Sequence, residues 1–154
     1  MKTKNNMTLF ITTIMCFFPV IFGVLVFEKL PLQIPIHFDN GGNPDSYLSK
    51  ALAIFGLPIF LAAINVYTHF RVNNEPKINN PSSALKQAVK WVTPVISIIF
   101  IPLSLVIAMG AKLPIVMIGT ALAGIVIVIC GNYLPKNRQN YTLGIRLPWT
   151  LHSE

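Results

Sequence analysis

Residues 8–27 read TLFITTIMCFFPVIFGVLVF, twenty consecutive residues without a charge. At 1.5 Å per residue, a helix of that length reaches about 30 Å, the thickness of the hydrocarbon layer of a bilayer. Lys2 and Lys4 precede it, a basic start that also opens secretory signals. The run is longer than a signal's apolar segment and no small-residue cleavage site follows, so a retained helix is expected. Three more uncharged runs follow at 51–70, 91–109 and 113–134.

The composition of the 154 residues agrees: 53% are hydrophobic and 11% charged, against about 25% charged in ordinary soluble domains. Mean hydropathy is +0.62. A disordered chain is excluded, because it needs low hydrophobicity and high charge. The expected class is an all-α membrane protein, a bundle of four transmembrane helices over 1–134. It has a short extended outer loop at 28–50 and an irregular basic cytoplasmic tail at 135–154.

Four spans put both termini on one side, and basic loops favour the cytoplasm. A cytoplasmic N-terminus places Lys2, Lys4, Arg71, Lys77, Lys86, Lys90, Lys136, Arg138 and Arg146 inside. Only Lys29, Lys50 and Lys112 are then outside. This asymmetry accounts for the net charge of +7 without nucleic acid as a partner. The expected setting is a cell membrane crossed several times, with the N-terminus and C-terminus cytoplasmic and the lipid bilayer as the first partner.

No Asp, Glu, Lys or Arg falls within the four runs. Intramembrane ionisable residues mark ion and proton paths, so their absence speaks against proton coupling. His69 is expected at the inner interface, and Asn65 as a hydrogen-bonding contact between helices. Cys16 and Cys130 are too few for a disulfide framework and read as small buried hydrophobes. Pro19, Pro58, Pro94 and Pro102 predict kinks. Gly119 with Ala123, and Thr120 with Gly124, place small residues four apart, a spacing that permits close helix contact.

The loop reads PLQIPIHFDNGGNPDSYLSK over 31–50. Ile34, Ile36 and Phe38 alternate with Pro35 and His37, the period of a strand. Asp39-Asn-Gly-Gly-Asn-Pro then supplies turn residues, with glycines for positive φ. The loop is expected to cap the bundle, with Asp45 and Lys50 at the start of the second helix and Ser49 as its cap. His37, Asp39 and Asp45 are the only residues that approach a metal or acid–base set. The loop lacks the glutamate of a calcium-binding hand, and the chain lacks both the paired histidines of a zinc protease and a nucleophile elbow. No catalytic residue, metal or cofactor is expected.

The tail reads GNYLPKNRQNYTLGIRLPWT over 131–150. Tyr133, Tyr141 and Trp149 suit the headgroup zone, and Lys136, Arg138 and Arg146 suit anionic lipid. Asn140, Gly144 and Pro148 are poor helix formers and indicate a shaped loop. Membrane anchor and docking surface both remain open on these residues.

The two segments together resemble the SdpI family of bacterial membrane proteins, which confer immunity to a sporulation-delaying toxin. The loop is similar to the domain that opens many members, and the tail to the family signature. The resemblance implies a non-enzymatic immunity protein against a secreted peptide toxin. It also implies a sensor that recruits a cytoplasmic transcriptional repressor to the membrane. The corresponding outer residues are His37, Gly42, Asp45, Tyr47 and Lys50. The inner ones are Asn132, Tyr133, Pro135, Lys136, Arg138, Asn140, Tyr141, Gly144, Arg146, Pro148, Trp149 and Thr150. Longer members continue into two further helices, so a short or truncated form is expected. The competing classes are a small transporter or transporter subunit, a membrane enzyme, and a fragment without independent activity.

Overall fold

The computed structural model describes residues 2–74 and 83–133. It is mostly helical, in the order α1 (Lys2–Leu25), a 3-10 turn (Phe27–Lys29), β1 (Gln33–Phe38), β2 (Pro44–Ser49), a π-turn (Leu52–Gly56), α2 (Leu57–Asn73), α3 (Ser83–Ala108) and α4 (Ile115–Tyr133). Among the described residues three stretches are long and apolar enough to cross a membrane: Asn6–Leu25, Leu52–Asn73 and Ala84–Ala108. Ile115–Ile129 is apolar but shorter.

α1, α2 and α3 pack on one another, and the main partner of α4 is α3. The π-turn has a local cause. Pro58 offers no N–H to the carbonyl four residues back, and its ring crowds that carbonyl. The preceding turn widens instead. Pro19, Pro94 and Pro102 lie inside α1 and α3, and Pro19 and Pro94 are fully buried. α3 ends on Gly110 at φ +97°, whose N–H donates to the Ile107 carbonyl at 2.9 Å. Glycine adopts that left-handed conformation without penalty.

Strands β1 and β2 form an antiparallel hairpin. The second strand is an addition to the single strand read from the sequence. The ladder slips between Pro35 and His37 and again before Phe38. Each bulge reverses the side-chain alternation. Ile34 and Pro35, ahead of the bulges, are both buried, while Ile36 faces out, correcting the expected Ile34–Ile36–Phe38 face. Asp45 belongs to β2, not to the start of a helix as expected. Lys50 does begin the helical stretch, and the Leu52 N–H reaches Ser49 Oγ at 3.4 Å.

The hairpin is tied into the helices. Leu30 and Ile34 share one buried cluster with Ala53, Ile54, Ile101 and Leu105. Within the spans the gain is van der Waals packing and not removal from water, because lipid tails are as apolar as these side chains. At the opposite end of α1–α3 the interior is polar. Thr12 on α1, Asn65 and His69 on α2, and Lys90, Thr93 and Ser97 on α3 are all buried. The interior is thus apolar under the hairpin and polar toward the N-terminus.

An apolar groove of about 680 Å³ separates α3 from α4, lined in part by Trp91, Phe100, Gly119 and Ala123. The small residues of α4 therefore border a groove facing Phe100 instead of a close backbone contact.

Candidate functional site

The hairpin carries His37, Gly42, Asp45 and Tyr47 of the five loop residues singled out by the sequence, and Lys50 follows directly at the start of the helical stretch. Its tip is closed by Asp39, whose N–H donates to the Asn43 carbonyl at 2.9 Å. The Asp39 carboxylate accepts from the Asn43 N–H at 2.7 Å and from Asn43 Nδ2 at 3.2 Å. The backbone N–H of Asn43, then its side chain, hold the Asp39 carboxyl below the usual carboxylate range. Gly42 sits at φ +82°. A side chain there would be strained, and a Cβ would lie 3.9 Å from Val116 at the start of α4.

His37 Nδ1 lies 2.6 Å from Asp45 Oδ1, with both side chains exposed. Tyr47 opposes Pro35 in the ladder and is half exposed. The Lys50 ammonium sits 4.2 Å from the centre of the Phe27 ring, a cation–π contact that fastens the hairpin base to the end of the first helical segment. Asp39 is engaged with Asn43 and Asp45 with His37, so the three do not converge. Among the described residues no group of three or more His, Cys, Asp or Glu is placed to hold a metal ion.

Of the tail residues, Asn132 and Tyr133 end α4, and Asn132 is exposed. Pro135, Lys136, Arg138, Asn140, Tyr141, Gly144, Arg146, Pro148, Trp149 and Thr150 lie outside the described residues.

The polar interior was only half visible in the sequence. Asn65 does bridge helices: its Nδ2 donates to Thr12 Oγ1 at 3.0 Å and Thr13 Oγ1 at 3.1 Å. His69, expected at the interface, is 1% exposed and lies 3.1 Å from Thr12 Oγ1 through Nε2. α3 begins at Ser83, so Lys86 and Lys90 are part of it. Lys90 is 3% exposed and donates to Asn73 Oδ1 at 2.7 Å. That corrects the reading of charge-free spans. Ser97 Oγ donates to the Cys16 carbonyl at 2.8 Å, joining α3 to α1. The spacings Thr8–Thr12–Cys16, Asn65–His69–Asn73 and Lys90–Thr93–Ser97 each put polar residues on one helix face, which was the available signal.

The family model described as Domain of unknown function (DUF1648) matches residues 14–62, from the middle of α1 through the hairpin into α2. The chain is 29% identical over 133 residues to the Immunity protein SdpI of Bacillus subtilis (strain 168). That similarity covers 86% of this chain and 62% of the relative, so the chain spans less than two thirds of the curated protein it matches. No solved structure matches it. The hairpin lies inside the matched domain, and the similarity to the immunity protein runs along most of this chain.

Proposed function

We propose that this chain is a non-enzymatic membrane immunity protein that protects its cell from a secreted peptide toxin. The observation that carries the reading is the similarity to an immunity protein along 86% of the chain.

The proposed topology is a four-span bundle with both termini in the cytoplasm. It follows the distribution of Lys and Arg. The hairpin then faces outward as the surface that meets the toxin, presenting His37, Asp45 and Tyr47 from a platform packed on the helices. The tail from Asn132 to Thr150 faces the cytoplasm and recruits a transcriptional repressor. A ligand shifts such a protein only if it binds two conformations unequally. The signal would therefore pass through the helices between hairpin and tail.

Two variants separate the parts. Exchanging Tyr47 and Asp45 for alanine should lower survival in medium containing the toxin while membrane insertion is unchanged. Replacing Asn140 and Arg146 together should abolish repressor recruitment and leave survival unchanged. Full survival of the first variant would refute the role given to the hairpin. Undiminished recruitment by the second would refute the role given to the tail.

A further inference from the structure

The groove between α3 and α4 is about one lipid leaflet deep. On α3 its lining runs from Ala88 to Phe100, and on α4 from Gly119 to Ile129. At about 1.5 Å per residue these stretches are about 18 Å and about 15 Å long. Half of the hydrocarbon layer is about 15 Å. The helices meet at the deep end, where a Cβ on Gly119 would lie 3.8 Å from the Phe100 ring. From there the groove runs toward the start of α3 and the end of α4, past Trp91. Tryptophan favours the level of the lipid headgroups.

Length and chemistry select the occupant. A helix crossing the membrane needs about 30 Å, twice what the groove offers. A peptide in any other conformation would set its backbone N–H and C=O groups against walls such as Val95 and Ala123, which offer them no partner. An acyl chain carries no such groups. The volume of about 680 Å³ lies within the range of sites for a single small molecule, about 300–1,000 Å³. Charge selects the headgroup. Among the described residues the acidic ones are Glu28, Asp39 and Asp45, all at the hairpin end. The opposite end carries Arg71, Lys86 and Lys90. Lys90 is turned to Asn73. Lys86 is part-exposed and lies one turn before Val89, a residue of the lining, so it stands at the margin of the groove mouth. Basic groups at the mouth of an interhelical groove suit an anionic phospholipid.

We propose that the α3–α4 groove binds one anionic phospholipid from the leaflet on the side of the chain termini, with an acyl chain along Trp91, Val95 and Phe100 and the phosphate at Lys86. The inference stands apart from the immunity reading and needs no toxin.

The test uses the full chain with Trp149→Phe, which leaves Trp91 as its one tryptophan. It is placed in nanodiscs of phosphatidylcholine with increasing fractions of phosphatidylglycerol brominated in the acyl chain, a quencher of adjacent tryptophan. Brominated phosphatidylcholine is the comparison. Brominated phosphatidylglycerol should quench Trp91 half-maximally at about one-fifth of the fraction that brominated phosphatidylcholine needs, the worth of one lysine near an anionic headgroup. Ala123→Phe fills the groove from an exposed position on α4 and should bring the two lipids level. Lys86→Gln leaves the groove open and should remove the preference while both lipids still quench. Helical circular dichroism checks that each variant is folded. Native mass spectrometry of the parent chain should show one retained phosphatidylglycerol. The proposal is overturned if the two lipids quench alike in the parent chain, the mark of an annular shell only. It is also overturned if the preference survives Ala123→Phe or Lys86→Gln, or if the parent chain has the mass of a dimer without lipid, which would give the groove to a second copy.

Discussion

Replacing Gly23 with alanine places a methyl group 2.7 Å from Ile54 Cγ2, 3.0 Å from Cγ1 and 3.3 Å from Cβ. All three atoms sit close to the branch point of a side chain with no exposure. Rotation cannot clear the methyl, so α1 and the π-turn must move apart by several tenths of an ångström. Ile54 also packs with Leu30 and Ile34, so the strain reaches the hairpin arms. Overpacking of this kind costs about 1–3 kcal/mol. Alanine returns about 1 kcal/mol through its better helix propensity. The contact is near the severe end, so the net loss should be about 1–2 kcal/mol. The assay is unfolding by a denaturing detergent, followed by helical circular dichroism and compared with wild type. Ile54→Ala removes two of the clashing atoms, so Gly23→Ala should cost much less in that background. A Gly23→Ala protein as stable as wild type would refute the packing described at the base of the hairpin.

Asn73→Leu removes the side-chain oxygen that accepts from the Lys90 ammonium and should cost about 1.5–3 kcal/mol; the same unfolding assay should show an earlier transition, and an unchanged one would contradict the contact. Asn65→Leu breaks the links to Thr12 and Thr13 but also removes an unpartnered buried oxygen, so its cost should stay near the average of about 0.6 kcal/mol for interhelical bonds in membranes. The Asp39 carboxyl is lowered in the folded hairpin. Its contribution is therefore present above the unfolded value of about 3.9 and lost as pH falls through the folded one. Amide exchange at Asn43 should be flat from about pH 5 to about pH 8, after correction for intrinsic rates, and rise in stronger acid. His37→Ala removes an exposed pair and should cost at most about 1 kcal/mol, read as a small loss of hairpin signal dispersion.

The helical membrane class was legible because length and hydropathy suffice for it. Uncharged runs of about twenty residues have few other solutions. The hairpin was legible in its first strand and its turn, where Ile34, Phe38 and the Asp39–Asn43 segment carry local signals. The second strand, Pro-Asp-Ser-Tyr-Leu-Ser, has weak strand propensity and exists through pairing with the first. Bulges hid the burial pattern, since nothing in Ile36 announces an extra residue in the ladder. Lys90 was misplaced for a different reason. A charge was taken to end a span, whereas the helix continues and Asn73, from another helix, accepts its ammonium. His69 was misread likewise, because its partner Thr12 lies 57 residues away in the chain. The loop motif was gathered on one hairpin, but its role as a binding surface depends on a partner that sequence does not contain.

The central claim is protection, and survival measures it most directly. Toxin-sensitive cells expressing this 154-residue chain, with insertion verified by membrane fractionation, would be challenged with medium containing the toxin. The account predicts survival well above that of cells carrying an empty vector. Killing at the empty-vector rate despite correct insertion would contradict it.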